Sequence, residues 1–336
     1  MSLVQFIDLG RQPISNGFLA AKKFSCEKFY NLRAGFDRDT YLVSLMPPFP
    51  DKTELFHGDY VYRSGMSKTM VSHFKKSANS IKDVVRSGKI LEIGSNDGTF
   101  LKNFDPTVIM SVEPCMNFAK ETRKKGYHTI NDFWNEAAAS AVLNFRGKMD
   151  AVFAANCICH IPDVVDTFRN VAEVLEDDGV FVFEDPSLYD MLIRNTYDQI
   201  YEEHAHIFSV LALDVLLREA GMRVVDVEYL PHIHGGSNRI WAAKEKSSEW
   251  TPTLSVEEEK AKEKELCLDE IWAYKDFAGR VEESKLRLRN TLITYKNAHK
   301  RIISYGATSK SSVVFNYCGI GPVSYTHLTL PTICSV

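Results

Sequence analysis

The sequence has no apolar run of the roughly 18 residues that a membrane-spanning helix needs. Its first residues also lack the basic and then apolar pattern of a secretory signal. Basic residues are not in excess, because 40 Lys and Arg residues stand against 44 Asp and Glu residues and give a formal net charge of −4. These absences argue against a membrane protein and against a polybasic surface for nucleic acid.

The cysteines follow no framework. There are seven, and the single close pair, Cys157 and Cys159, lacks the spacing of a zinc knuckle or a redox motif. An odd number of scattered cysteines is typical of a reducing cytosol. We therefore expect a cytoplasmic protein whose cysteines are buried thiols.

We divide the chain into four regions. Residues 1–65 mix short apolar runs with prolines, which predicts loops and short strands. Residues 66–250 open with apolar residues at helical spacing and then alternate strands and helices. Residues 251–321 predict long helices as a connector, and their strand and glycine turn at 302–307 indicate the start of a second, partial Rossmann-like domain. Residues 322–336 do not continue that pattern, and we interpret them as a non-native tail.

Within the second region, residues 89–185 predict an α/β fold. Apolar strands at 90–93, 108–112, 151–155 and 180–183 alternate with amphipathic helices. The helix before the fourth strand is expected to end at residues 177–179. Short, fully apolar strands are typical of a doubly wound, mostly parallel sheet that is covered on both faces, and such sheets bind ligands at the carboxyl ends of their strands.

A glycine-containing loop follows the first of these strands. Gly94 and Gly98 allow tight turns and a close approach to a ligand. Asn96 stands where the dinucleotide-binding pattern has its middle glycine, so that pattern is absent. The loop is similar to the first motif of class I methyltransferases. This resemblance implies that the loop holds the aminoacyl end of S-adenosylmethionine and that Glu92 organises its amino group.

Further residues follow the later strands in the order that such a cofactor needs. Glu113 ends the second strand, where a carboxylate accepts from both ribose hydroxyls. Asp132 and Phe133 fall where the next strand ends and are expected to contact adenine. Asn156 follows the strand at 151–155 and is expected to face the methionine portion.

Two further segments are candidates for the reaction centre. Residues 198–204 are dense in groups able to act as acid, base or orienting residue, among them Tyr201, Glu203 and His204. Residues 232–239 end a strand with paired glycines, and they offer Ser237 and Arg239 as binders of an anionic or hydroxylated substrate. A simple glycine turn is the alternative for this second segment.

The chain resembles the C-methyltransferases that act on nucleotide-activated keto-deoxysugars. The combination of Tyr-x-Glu-His with His-Gly-Gly-Ser is specific to that family. The resemblance rests on residues 6–16, 60–65, 92–98, 198–204, 234–239, 305–307 and 316–320.

The resemblance implies a mechanism and roles for residues. A ketone at C4 of the sugar acidifies the proton at C3, and His204 is the base that removes it, with Glu203 orienting the imidazole. Tyr201, His160 and one of the two tyrosines at 60 and 62 would bind the developing oxyanion or a sugar hydroxyl. Between Tyr60 and Tyr62 the sequence does not choose.

The resemblance also implies where the substrate binds. The nucleotide-activated keto-deoxysugar is expected at His234, Gly235, Ser237 and Arg239. Lys310, in the C-terminal region, is a candidate contact for a phosphate.

The chain departs from the family in its N-terminal region. Family members start with a cysteine-rich zinc module, whereas residues 30–45 contain no cysteine and have Asp37 and Thr40 at the matching spacing. We therefore expect no zinc, no other metal, and a substrate-side region that is a degenerate remnant of the module. Glu202 and His206 stand where the family commonly has other residues, and such changes could alter sugar specificity.

Three other functions remain. An O- or N-methyltransferase of a small metabolite would keep the cofactor and change the acceptor, but it would need less basic machinery than residues 198–204 offer. An NAD-dependent oxidoreductase is disfavoured because the turn at Gly306 lacks spaced glycines. The last is a non-catalytic binding protein.

Overall fold

The computed structural model describes residues 2–17, 19, 21–58, 60–85, 88–305, 308–321 and 327–329. In this part of the chain the strands form a four-stranded, a seven-stranded and a two-stranded sheet. No helix in these ranges combines the length and the apolar character that crossing a membrane requires.

The four-stranded antiparallel sheet is built mainly from the N-terminal region. Its strands are β1 (Leu3–Pro13), β2 (Phe29–Asp37), β3 (Val43–Leu45) and, from later in the chain, β9 (His206–Ile207). The expectation of short strands is therefore wrong for β1 and β2, which are 11 and 9 residues long.

The turn between β2 and β3 lies at the position where the resemblance places zinc ligands. One carboxylate oxygen of Asp37 accepts hydrogen bonds from the backbone N–H groups of Asp39 and Thr40, at 3.0 Å each, and from the Thr40 hydroxyl at 3.1 Å. Such an Asx-type turn stabilises this connection through side-chain to backbone hydrogen bonds.

The seven-stranded sheet has the strand order β10-β11-β8-β7-β4-β5-β6. Its strands are β4 (Ile90–Ile93), β5 (Ile109–Val112), β6 (His128–Ile130), β7 (Met149–Ala155), β8 (Leu175–Pro186), β10 (Met222–Leu230) and β11 (Ser237–Lys244). Strands β4 to β8 pair in parallel, and β11 is antiparallel to both of its neighbours. The predicted doubly wound, mostly parallel sheet is therefore confirmed. Because the winding direction reverses between β4 and β7, the carboxyl ends of these strands form the expected ligand crevice.

Ten α-helices surround the sheets in the part of the chain that is described. They are α1 (Lys52–Leu55), α2 (Lys68–Val84), α3 (Met116–Lys124), α4 (Glu136–Arg146), α5 (Val164–Val174), α6 (Leu188–Arg194), α7 (Val210–Glu219), α8 (Leu254–Glu265), α9 (Ile271–Asn297) and α10 (Ser309–Cys318). Helix α2 is capped by the Ser67 hydroxyl, which accepts from the Met70 N–H.

The large sheet is covered on both faces. Val142 of α4, Phe168 of α5 and Leu213 of α7 belong to the apolar cluster on one face. Phe74 and Ile81 of α2 belong to the cluster on the other. Burial of this many apolar side chains is the main stabilising contribution to such a fold.

One predicted boundary needs correction. Helix α5 ends at Val174 and β8 begins at Leu175, before the predicted stop at residues 177–179. Met149 pairs with Leu175 but Ala151 pairs with Val180, so β8 accommodates extra residues as an irregularity. Asp177, Asp178 and Gly179 thus mark a bulge in β8 and not the end of α5.

The C-terminal region packs on the N-terminal sheet. Tyr274 of α9 is fully buried, and its ring centroid lies 5.1 Å from that of Phe6 and 4.6 Å from that of Phe36. Strand β12 (Ile303–Tyr305) pairs in parallel with β13 (His327–Thr329). The glycine turn at residues 306 and 307 and the rest of the predicted tail, 322–326 and 330–336, lie outside the described residues. The division into regions stays a prediction.

Candidate active site

The loop after β4 has the backbone conformation that its glycines suggested. Gly94, Asn96 and Gly98 have φ angles of 74°, 47° and 80°, in the left-handed region. A β-carbon on Gly94 would lie 2.7 Å from the sulfur of Cys157, because the loops after β4 and β7 approach each other closely there. Position 94 therefore requires glycine for both conformation and space.

Glu113, at the carboxyl end of β5, is joined to this loop. One of its carboxylate oxygens accepts from the N–H of Asn96 at 2.7 Å, and the other accepts from the N–H of Cys115 at 2.8 Å. Burial raises the pKa of Glu113. Each oxygen keeps a further lone pair, so the carboxylate can also accept from two hydroxyls of a ribose.

Unpartnered buried polar atoms lie around the same loop. Within the described part of the chain, these three buried polar atoms have no hydrogen-bond partner: one carboxylate oxygen of Glu92, the Ser95 hydroxyl and one carboxylate oxygen of Asp185. Burial, with the nearby Glu113 and Asp97 charges, raises the pKa of Glu92 well above its ordinary value. Unsatisfied buried groups cost stability unless a ligand completes them. An aminoacyl ligand such as S-adenosylmethionine fits, because its ammonium group would satisfy acceptor oxygens and favour the ionised carboxylates.

The other predicted cofactor contacts lie at the expected edge of the sheet. Asp132 and Phe133 follow β6, where Asp132 is exposed and Lys52 lies 4.7 Å from the centroid of the Phe133 ring. Asn156 follows β7 with a φ of 49°, and its N–H donates to the carbonyl of Glu184 at 2.7 Å.

His204 is buried, and its hydrogen bonding defines its tautomer. Its Nδ1 lies 2.8 Å from the backbone carbonyl of Gln199. A carbonyl only accepts, so Nδ1 carries the proton, and the neutral ring keeps a lone pair on Nε2. Burial, with the neighbouring His160 and Lys310, holds the pKa of His204 well below its ordinary value. No hydrogen bond to Nε2 is found among the described residues, so His204 is a neutral imidazole whose Nε2 is available as a base.

This geometry corrects the role predicted for Glu203. The group that orients His204 is the Gln199 carbonyl, whereas the Glu203 carboxylate accepts from Asn16 at 2.6 Å, Tyr60 at 3.0 Å and Tyr201 at 3.3 Å. Burial raises the pKa of Glu203 to about 7. Glu203 links the N-terminal region to the two tyrosines.

Two other residues of the segment 198–206 also have structural partners. Glu202 accepts from the Tyr30 hydroxyl at 2.8 Å and from the Ser15 hydroxyl at 3.0 Å. His206 bonds Ser44 at 2.8 Å and the carbonyl of Pro162 at 2.9 Å. The two family departures at these positions therefore hold neighbouring segments in place.

Aromatic rings surround His204. The ring centroids of Tyr201 and His160 lie 4.4 Å and 5.2 Å from that of His204. Burial lowers the pKa of His160 to about 3, so this ring is neutral as well. The structure separates the two candidate tyrosines. Tyr60 donates to Glu203, whereas Tyr62 is 39% exposed and its backbone carbonyl accepts from the Asn96 side chain in the loop after β4.

The predicted substrate contacts fall into two groups. His234 and Gly235 have φ angles of 48° and 82°. The buried Nε2 of His234 has no hydrogen-bond partner among the residues that the structure describes. Lys310 donates to the side-chain oxygen of Gln199 at 2.7 Å. These three residues therefore lie on the segment that carries the base or close to it.

Ser237 and Arg239 belong to the core, which corrects their assignment to substrate. The Ser237 hydroxyl is fully buried and donates to the carbonyl of Ile233. The buried guanidinium of Arg239 donates to Glu184 at 2.8 Å, Glu228 at 2.5 Å and Ser77 at 2.7 Å. With its polar contacts inside the protein, Arg239 ties β11 to β8 and α2.

The sequence interpretation missed two residues of the site. Gln199 lies inside the segment 198–204, but its amide does not titrate, so the density of titratable groups does not single it out. Asp185 is the second-to-last residue of β8, and burial raises its pKa to about 7. Its position at a strand's carboxyl end was the available signal for it.

Two family models match the chain. A model described as a methyltransferase domain matches residues 73–227, and one described as a C-methyltransferase C-terminal domain matches residues 232–328. C-methyltransferase NovU from Streptomyces niveus is 29% identical over 274 residues, which are 80% of this chain and 64% of that relative. The chain therefore spans less than two thirds of the length of this relative.

Solved structures of methyltransferases resemble part of the chain. The CcbJ methyltransferase from Streptomyces caelestis has a TM-score of 0.40 and 15% identity, covering 51% of this chain and 89% of that one. The magnesium protoporphyrin IX methyltransferase from Synechocystis, solved with bound SAH, has a TM-score of 0.39 and 11% identity, covering 52% of this chain and 84% of that one.

Proposed function

We propose that the chain is an S-adenosylmethionine-dependent C-methyltransferase, which removes a proton from C3 of a nucleotide-linked 4-keto-deoxysugar and methylates that carbon. The fold is that of class I methyltransferases, as the strand order and the matched methyltransferase domain indicate. The observation that carries the proposal is the neutral, buried His204, whose Nδ1–H is bound to Gln199 and whose Nε2 lone pair is free.

A buried imidazole of this kind suits deprotonation of carbon. Nε2 of His204 takes the proton, and the electron pair of the C–H bond moves toward the carbonyl to give an enolate. Burial lowers the pKa of His204 in the free protein, but the enolate that forms beside it stabilises the imidazolium, so the base gains strength as the proton moves. Such general-base catalysis contributes about 10²–10⁴-fold to the rate.

The cofactor would be held by the loop at residues 94–98, by Glu113 and by the buried carboxylates of Glu92 and Asp185. Glycine at 94 leaves the backbone open to close approach, and Glu113 offers lone pairs to a ribose. When bound, S-adenosylmethionine supplies an electrophilic methyl group, which the carbon nucleophile takes. Burial around the site excludes water, which would otherwise compete for the proton and screen the charges.

The His160 ring contributes a hydrogen bond to the sugar, and the Tyr201 hydroxyl, whose proton goes to Glu203, accepts one from a sugar hydroxyl. Both rings are neutral and lie beside His204. Preorganised donors aimed at a developing oxyanion stabilise it without further reorganisation of the site. The Tyr60 hydroxyl is tied to Glu203, so it positions that carboxylate beside Tyr201.

The proposal is tested by incubating the full chain with methyl-labelled S-adenosylmethionine and thymidine- or uridine-diphosphate-linked 4-keto-6-deoxyhexoses. Mass spectrometry and NMR should find one new methyl group on a ring carbon. The matched control is the same sugar nucleotide reduced to an alcohol at C4, which lacks an acidic C–H bond and should give no product.

The position of the new methyl group shows which carbon reacts, because a C4 ketone acidifies the protons at both C3 and C5. A methyl group on oxygen or nitrogen, or equal methylation of the 4-hydroxy control, would contradict C-methylation. A methyl group at C5 would contradict the assignment to C3 while retaining carbon chemistry.

A further inference from the structure

Lys310 brings a cation to the base from a distant part of the chain. It lies in the first turn of α10, a helix that contacts β1 and the 3₁₀ turn at Tyr197–Gln199. Its ammonium donates to the side-chain oxygen of Gln199 at 2.7 Å. An ammonium group has three N–H donors, so this contact leaves donors for a ligand.

Gln199 holds Lys310 and the base at the same time. Its backbone carbonyl accepts from Nδ1 of His204 at 2.8 Å, and its side-chain oxygen accepts from Lys310. Its side-chain nitrogen donates to the carbonyl of His234 at 2.7 Å. One residue therefore sets the spacing between the base, the ammonium and the segment that carries His234.

The electrostatic interactions of Lys310 also place its ammonium near the His204 ring. Lys310 contributes to the lowered pKa of His160, His204 and His234, which places its charge within electrostatic reach of all three rings. Burial lowers the pKa of Lys310 itself, while the Asp198 and Glu203 charges act against that shift. Partial burial also makes its interaction with a nearby anion stronger than it would be in water.

We propose that Lys310, held by the Gln199 side chain, is a further catalytic residue that donates a hydrogen bond to the C4 oxygen as the enolate forms. The inference rests on the proposed function. When His204 takes the C3 proton, the C–H electron pair forms the C3–C4 double bond, and the carbonyl π electrons move to O4. Lys310 keeps its proton throughout and pairs with the negative O4 until the carbonyl re-forms.

A contact with phosphate is the other role that an ammonium could take. In a nucleotide-linked sugar the phosphate is bonded at C1, across the ring from C4. Lys310 and His204 are held by the same residue, and this places the ammonium near the carbon from which the base takes the proton. The reacting carbonyl is therefore the anion that forms closest to it.

The test compares three variants of the full chain with the wild type. Lys310→Met removes the ammonium. Gln199→Met releases Lys310 but keeps the backbone carbonyl that binds His204. Lys264→Met, at an exposed residue of α8, is the matched control for loss of one positive charge. Each variant is assayed for steady-state methylation, for exchange of the C3 hydrogen in heavy water with S-adenosylhomocysteine present, and for S-adenosylhomocysteine binding by calorimetry.

We expect Lys310→Met to lower kcat and the exchange rate by about 10²–10³-fold, as loss of one oxyanion donor does. Gln199→Met should give a smaller fall in both rates, and Lys264→Met should match the wild type. Binding of S-adenosylhomocysteine should be the same in all four proteins, which also shows that the variants are folded.

A raised KM for Lys310→Met with unchanged kcat and unchanged exchange would overturn the inference and assign Lys310 to ground-state binding of the phosphate. Loss of cofactor binding in Lys310→Met while Gln199→Met exchanges at the wild-type rate would also overturn it. If the wild type itself neither exchanges nor methylates any 4-keto sugar, the proposed function fails, and this inference fails with it.

Discussion

Replacing Arg239 by Met should destabilise the protein without weakening substrate binding. The guanidinium loses its contacts with Glu184, which is 1% exposed, and with Ser77, also buried. Its pairing with Glu228 adds little, because the Glu228 side chain is 49% exposed and exposed ion pairs are screened. Glu184 would keep His73 and Ser77 as partners.

The loss of stability is set by the Glu184 carboxylate, which stays buried after Arg239 is replaced. Breaking a buried ion pair by removing one partner costs about 3–5 kcal/mol, and the residual partners of Glu184 place the expected loss near 3 kcal/mol. The assay is urea unfolding followed by fluorescence and circular dichroism. Arg169→Met is the matched control, since its side chain is 51% exposed and its pairs should contribute at most about 1 kcal/mol.

The same variant distinguishes the two interpretations of Arg239. If Arg239→Met unfolds within about 1 kcal/mol of the wild type and instead raises KM for the sugar nucleotide, Arg239 binds substrate as the sequence suggested. The structural account of the buried ion-pair network would then be wrong.

Three shorter predictions follow from the site. Gly94→Ala should weaken S-adenosylhomocysteine binding at least tenfold in calorimetry, because the added β-carbon would lie 2.7 Å from the Cys157 sulfur. The control is Gly279→Ala, which should bind normally because no described atom lies within 4 Å of its added β-carbon. Equal binding by the two variants would contradict the close approach of the loops after β4 and β7. The pKa of Glu203 is raised from 4.5 to about 7, so its contribution to the free energy of unfolding is present below pH 4.5 and is lost as pH rises to about 7. Glu203→Gln should therefore flatten the dependence of the free energy of unfolding on pH in this interval. An unchanged pH dependence would refute the raised pKa. Tyr60→Phe should lower kcat more than Tyr62→Phe, because Tyr60 is the one of these two described tyrosines that is found to bond Glu203. The reverse order would exclude Tyr60 as the residue that positions Glu203.

The sequence predicted the parts of the site that are local in the chain. Glu92, the glycines at 94 and 98, and Glu113 follow directly from a strand–loop–strand pattern, and all lie at the carboxyl edge of the sheet. Such a pattern places a residue by its distance from a strand end, which tertiary packing does not change.

Contacts between distant segments could not be predicted in this way. Glu203 bonds Asn16, 187 positions away, and Arg239 bonds Glu184 from a neighbouring strand. A charged residue beside a glycine turn fits a ligand contact and a buried ion pair equally well until its partners are known. The partner of His204 is a backbone carbonyl, which every residue type offers and no sequence pattern marks.

The choice between Tyr60 and Tyr62 depended on the same kind of information. In an extended backbone, residues two positions apart face the same direction, but residues 60–63 lead into a 3₁₀ turn at Ser64–Met66. The sequence alone therefore does not tell which direction each tyrosine faces. The structure directs Tyr60 to Glu203 and leaves Tyr62 partly exposed.

The most direct test of the account is hydrogen exchange at C3 in the His204→Asn variant. Asparagine can still donate to the Gln199 carbonyl but has no basic nitrogen. We expect exchange of the C3 hydrogen in heavy water, and methylation with it, to fall by about 10²–10⁴-fold, while calorimetry gives unchanged S-adenosylhomocysteine binding. Exchange at the wild-type rate in His204→Asn would contradict the central claim that this buried, neutral imidazole is the base.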